Sequence, residues 1–175
     1  MQTHGERSRH LWRDLLYGMI GGVVGTVALE RVTDFLYARE NEATRQIEER
    51  LRQEAPTEVA ARRFYRALTG TEPTEPVKSR LASAIHWGYG IAWGGLYGVA
   101  HDRVPLLARA AGLPFGLLFF LIGDEWVTTA FRLTPPPRAF PIQAHLRGLA
   151  GHLAFAAAAD GVYHGLRRLA GGRQR

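Results

Sequence analysis

The stretch from Leu81 to Ala100 reads LASAIHWGYGIAWGGLYGVA and contains no Asp, Glu, Lys or Arg in twenty residues. About 20 apolar residues in a helix cross the hydrocarbon core of a bilayer. Gly90, Gly94 and Gly98 recur at every fourth position. Such a small-xxx-small row lets a second helix approach backbone to backbone in lipid. His86 and Trp93 share another stripe, with Tyr89 and Tyr97 beside it. The pattern predicts a central membrane span at about 81–100.

Upstream, Leu15 to Leu29 (LLYGMIGGVVGTVAL) is also free of charge, and Gly18/Gly22 interleave with Gly21/Gly25. Arg7, Arg9 and Arg13 precede it, as in a signal peptide, but no A-x-A cleavage signal follows. The paired glycines suit helix packing, so an uncleaved first span is expected at about 12–34, with Trp12 and Tyr17 at one interface and Tyr37 at the other. Downstream, a third span is expected at about 110–131, with Pro114 in its first turns. The proline loop RLTPPPRAFP (132–141) excludes a helix, and a fourth span follows at about 145–166. Between the first two spans, residues 30–80 carry ten basic and ten acidic side chains. Glu48/Arg52 and Glu58/Arg62 have the favourable i,i+4 order. Ile47 and Leu51 form one short apolar row, and Val59, Phe64 and Leu68 another. Pro56 suits a helix start, Gly70 a helix stop, and Thr71 to Pro76 an extended linker. The expected fold is all-α, a single domain (1–175) forming an integral membrane four-helix bundle, with a charged helical extramembrane loop at about 38–78 between spans 1 and 2.

The 175 residues carry a net charge of +6, and Lys78 is the one Lys among 22 basic residues. The Arg residues flank apolar blocks instead of forming one patch, which favours headgroup anchoring over nucleic acid. With both termini inside, Arg7, Arg9, Arg13, Arg103, Arg109, Arg167, Arg168, Arg173 and Arg175 flank the inner face, against Arg132, Arg138 and Arg147 outside. Cytoplasmic termini follow from that asymmetry. The mean hydropathy of −0.13 averages apolar blocks with the charged middle. A soluble helical bundle is the alternative, but twenty Gly, at roughly 1 kcal/mol each against Ala in a water-exposed helix, weigh against it. With no Cys, disulfides, thiolate metal sites and iron–sulfur clusters are excluded.

Ionisable groups within spans are costly and usually face the bundle interior. The candidates are His86, Asp124, Glu125 and His152, expected as a buried polar cluster in which one of the adjacent acids faces His86 or His152. Such a cluster is by default a hydrogen-bonded clamp between helices; a proton relay is the functional alternative. His145 and His152, seven apart, stand about 10.5 Å apart along a helix and cannot both grip one ion. His86 with His152 suits a haem sandwich, or a metal with Glu125. His101 and His164 are expected at the interface, and Asp160 as a cap or a partner of Arg167 or Arg168. Ser8, Ser79 and Ser83 are the only serines and form no nucleophile constellation. No phosphate loop is present.

His86-Trp87-Gly88-Tyr89-Gly90, Trp93-Gly94, Tyr97-Gly98, Asp124-Glu125, the loop Pro135 to Pro141, His145 and Gly151-His152 occur in that order. With the glycines of the first span, this set resembles the YagU-like family of bacterial inner-membrane proteins over about residues 15–165; the charged stretch 38–75 has no counterpart. The resemblance implies four membrane helices in the bacterial inner membrane and no settled activity. The expected function is therefore non-enzymatic and cofactor-free. Gly21, Gly25, Gly90, Gly94 and Gly98 would pack the helices against one another, against a like copy in a homo-oligomer or within a larger membrane complex. Proton or ion handling by the Glu/His cluster is the alternative, and a haem- or metal-binding redox subunit a further one.

Overall fold

A computed structural model describes residues 4–172, with side chains described for residues 10–171. Arg7, Arg9, Arg173 and Arg175, which enter the orientation argument, lie outside the described side chains. The described residues are all-α: α1 (His4–Tyr37), α2 (Glu42–Leu51), α3 (Pro56–Thr69), α4 (Glu75–His101), α5 (Arg109–Phe119), a π-helical segment (Phe120–Val127), α6 (Thr128–Ala130) and α7 (Ile142–Gly172). A single 3₁₀ turn, Pro137–Ala139, enters the proline loop, where no helix was expected.

The interleaved glycines of α1 serve two different neighbours. Gly18 and Gly22 face α4, where a Cβ on Gly22 would stand 2.6 Å from the Gly90 carbonyl oxygen. Gly21 and Gly25 face α7, where a Cβ would stand 2.8 Å from the Ala159 oxygen and from the Phe155 ring, respectively. Gly90, Gly94 and Gly98 meet Thr26, Gly18 and Gly22, and Asp14 in turn, so α4 runs antiparallel to α1. Gly116 of α5 approaches the His152 carbonyl of α7 in the same close manner.

The fourth contact of the ring, α4 with α5, is made by aromatic side chains. Trp93 stacks on Phe119 at 4.5 Å between centroids, and Tyr97 meets Phe115 at 5.0 Å. Such pairs add about 0.5–1.5 kcal/mol each beyond their buried area. Phe155 and Tyr163 of α7 complete the core. Four long helical segments thus alternate in direction around one aromatic centre.

The third segment starts unusually. Ala110, Ala111 and Gly112 have φ of 48°, 57° and 75°, so the right-handed helix begins at about Leu113 and Pro114 falls in its first turn, where it displaces no hydrogen bond. Gly112 is required there twice over. Its φ is left-handed, and a Cβ would stand 3.2 Å from the Ala156 oxygen.

The charged region folds as two helices. Pro56 starts α3 and left-handed Gly70 (φ 73°) ends it. Helix α4 begins at Glu75, so the expected extended linker shortens by the two residues Glu75 and Pro76. Neither expected i,i+4 pair forms. Glu48 is drawn to Arg147 of α7 (2.5 Å), and Arg62 to Glu54 (2.9 Å), while Glu58 accepts the Ala55 N–H (3.0 Å). Ile47, Phe64 and Leu68 are exposed, and Ala61 is the buried residue of α3. Arg63 donates to the carbonyls of Phe131 (2.7 Å) and Arg132 (2.8 Å), so α3 caps the end of α6.

Two segments, His10–Tyr37 and Arg109–Ala130, are long and apolar enough to cross a membrane. The expected spans at 81–100 and 145–166 lie within long helices α4 and α7, but do not meet the same test. Glycine, Trp, Tyr and His dilute the hydropathy of α4, and α7 carries His145, Arg147, His152, Asp160 and His164. The apolar belt faces outward: Trp12, Leu16, Ile20 and Val24 on α1, Leu96 on α4, and Leu117, Leu121 and Trp126 on the third segment are exposed. Asp14, Thr26, His152 and Asp160 are buried. Within the four long segments the other buried side chains are apolar, mainly aromatic and Ala residues, so the exposed apolar side chains surround an apolar core.

Candidate functional site

Toward the end of the bundle covered by α2 and α3, the helices part around a cavity of about 450 Å³. Its walls include Thr26 and Thr33 of α1, His86 and Tyr89 of α4, Asp124 of the π-helical segment, and Arg147 and His152 of α7. The aromatic layer below, Phe119 and Phe155, forms its floor.

Of the four residues expected as a polar cluster, His86, Asp124 and His152 share this cavity, and Glu125 does not line it. His86 Nε2 lies 2.9 Å from Glu30 Oε1 of α1, out of line for a good hydrogen bond. Neither Glu125 nor His152 is its partner. The Gly148 carbonyl holds His152 Nδ1 at 2.7 Å, which places the proton of a neutral ring on Nδ1 and the lone pair on Nε2. The ring packs edge-on against Phe119 at 4.5 Å.

Asp124 and Glu125 diverge, as neighbours on a helix must, and the wide π-turn sets where each goes. π-helical turns are frequent at functional sites. Tyr89 Oη donates to the Gly123 carbonyl within this turn (3.2 Å), and Thr128 Oγ1 donates to that of Asp124. Glu125 turns to a second cavity of about 40 Å³ beside the proline loop. There it meets His145 Nδ1 at 2.6 Å, while His145 Nε2 donates to the Pro137 carbonyl at 3.0 Å. Both ring nitrogens of His145 thus face oxygen atoms, which ties the third segment, α7 and the proline loop together at one side chain. Asp124, Thr128, Ala144 and Arg52 line both cavities.

Arg147 closes the roof. It binds Glu40 and Glu48, lies 4.9 Å over the Tyr37 ring and is 11% exposed. In the sequence Arg147 falls among loop charges and Glu30 has no distinguishing context, because no spacing along one chain segment announces a partner on another helix. At the opposite end of the bundle, Asp160 is buried and accepts from Tyr97 Oη, not from Arg167 or Arg168. Arg167 instead binds Asp102 at 2.7 Å. There, burial lifts the Asp102 carboxyl, but hydrogen bonds from Arg167 and His101 outweigh it and hold the group below its ordinary range.

Fold and site together define an all-helical chain with a half-open, mainly apolar cavity whose walls include His86, Asp124, Arg147 and His152. Comparison with family models, with curated proteins and with solved structures finds no match to this chain.

Proposed function

We propose that the chain is a small multi-pass protein of the bacterial inner membrane, a four-helix membrane bundle with cytoplasmic termini. Its cavity would pass protons or a small ion, with no catalysis. The outward apolar belt supports the lipid setting, because a contiguous exposed apolar surface marks a membrane or protein contact. Asp124 carries the functional part. It stands in the wall of both cavities, between the Glu125–His145 pair on one side and His152 and the His86–Glu30 pair on the other. An acid so placed links two titratable sites, and intramembrane ionisable groups of this kind mark proton and ion paths.

Flux through proteoliposomes under a pH gradient tests the proposal. The unmodified chain should dissipate the gradient between pH 5 and 8, and Asp124→Asn should slow it at least about a hundredfold, the lower end of what a single proton-transfer group contributes, with the helical content unchanged. No flux from the unmodified chain in that range would end this proposal.

A role as an accessory subunit keeps one specific support. The glycine rows on α1 and α4 are consumed by packing inside the chain, but Gly161 and Gly165 of α7 have nothing within 4 Å. Chemical crosslinking in native membranes tests that role; a strictly monomeric species with no crosslinked neighbour would rule it out.

A further inference from the structure

At the end of the bundle opposite the cavity, α4 closes on His101, and α7 places Asp160 and His164 one turn apart beside it. One donor atom from each of these three residues lies within 4.8 Å of the others. His101 Nε2 is 4.0 Å from Asp160 Oδ1, and His164 Nδ1 is 3.2 Å from the same oxygen; His164 Nδ1 also lies 3.0 Å from the Asp160 carbonyl oxygen, a hydrogen bond it would give up to an ion. We propose that His101, Asp160 and His164 bind a divalent first-row transition ion of the zinc class.

Four features carry it. First, His101 Nδ1 lies 2.6 Å from Asp102 Oδ1, so Nδ1 holds the proton and Nε2 presents its lone pair. That Nε2 is buried without a hydrogen-bond partner. It faces the Asp160 carboxylate oxygen at 4.0 Å, a separation that a cation between them, a proton on Nε2 or a metal ion, would relieve. Second, the spacing fits. Donors about 2.0–2.2 Å from one ion stand no more than about 4.4 Å apart, which holds for both separations to Asp160; the widest separation closes with a shift of about 0.4 Å. Third, an outer shell is in place. Asp102 orients His101, and Tyr97 Oη donates to Asp160 Oδ1, the arrangement that fixes tautomer and ligand orientation in metal sites. Fourth, the nearby cation Arg167 is engaged with both Asp102 oxygens. The His164 side chain is 43% exposed, which gives an entry path and leaves coordination positions for water. Two imidazoles and one carboxylate suit zinc and neighbouring ions better than calcium or magnesium.

The test uses the untagged full chain in detergent, stripped with a chelator and titrated with Co²⁺, followed by Zn²⁺. One Co²⁺ per chain with a visible ligand-field spectrum that Zn²⁺ abolishes is expected. His164→Gln, a change at an accessible position, should weaken Co²⁺ binding by more than the about 10–100-fold typical of losing an outer-shell partner. On the unmodified chain, Zn²⁺ should protect His164 from diethylpyrocarbonate, mapped by mass spectrometry, so the outcome does not depend on how a variant folds. No saturable Co²⁺ spectrum, unaltered binding by His164→Gln, or unprotected labelling of His164 would each overturn the proposal.

Discussion

Replacing Gly94 by Ala should loosen the contact between α1 and α4. A Cβ at that position stands 2.6 Å from Gly22 N, with Gly18 O and Gly22 Cα closer still. Optimal carbon contacts are about 3.5–4.0 Å, so α1 and α4 must part by about 1 Å. Because both sides of the contact are backbone, no side chain can swing away to make room. Separation at position 94 also opens the approaches of Gly90 to Thr26 and Gly98 to Asp14. Overpacking of this kind costs about 1–3 kcal/mol. At about 2–4 °C per kcal/mol for a chain of this length, Tm should fall by about 2–12 °C. Gly88 lies on the same helix with nothing within 4 Å. Gly88→Ala should leave Tm unchanged or raise it, by up to about 1 kcal/mol of helix propensity. Thermal unfolding of both variants in one detergent, followed by circular dichroism, decides the matter. If Gly94→Ala melts with the unmodified chain, or Gly88→Ala falls as far, the α1–α4 contact is not the one described.

Other perturbations reach different parts of the fold. Arg147→Met strands Glu40 and Glu48, which are 10% and 7% exposed. Leaving buried charge unpaired costs about 3–5 kcal/mol, so amide exchange across α2 should accelerate, and adding Glu48→Gln should recover part of the loss. Unchanged exchange in α2 would show that the roof does not depend on Arg147. Hydrogen bonds from Arg62 and Lys78 hold the Glu54 carboxyl below the ordinary carboxylate range, more than its burial raises it. Because the folded value lies below the unfolded one, that stabilisation is whole above about pH 4.3 and drains away as pH falls through the lower folded value. Exchange protection where α3 meets α4 should therefore fall on acidification, and Glu54→Gln should flatten the response; protection that rises in acid would reverse the sign. Glu125→Leu should free His145 and the proline loop from the third segment, read as faster proteolysis within residues 132–141, and an unchanged cleavage rate would count against that tether.

Much of the architecture was legible because it depends on local periodicity. The four-residue glycine spacing of α1 and α4 marked the close contacts, and Pro56 and Gly70 marked the bounds of α3 by their own backbone chemistry. What spacing could not show was which glycine pair meets which helix: Gly18/Gly22 and Gly21/Gly25 look alike until α4 and α7 occupy different sides of α1. The π-turn at Phe120–Val127 escaped notice, since a widened turn leaves no periodic signature in eight residues. So did the left-handed start at Ala110 and Ala111, residues whose own preference is the opposite. Partner choice was the other gap. His86 found Glu30 and Glu48 found Arg147, pairs set by packing between helices distant in sequence. The Asp160/His164 spacing was visible as one helical turn, but His101 joins them only once α4 and α7 lie side by side.

The most direct test of lipid as the natural surroundings of this chain is extraction of membranes from cells producing it, with alkaline carbonate and then with detergent. The chain should stay in the pellet through carbonate and enter solution, folded, only with detergent. Recovery in the carbonate supernatant, or a folded and monodisperse species in plain buffer, would contradict the membrane assignment and remove the cost argument that singles out Asp124.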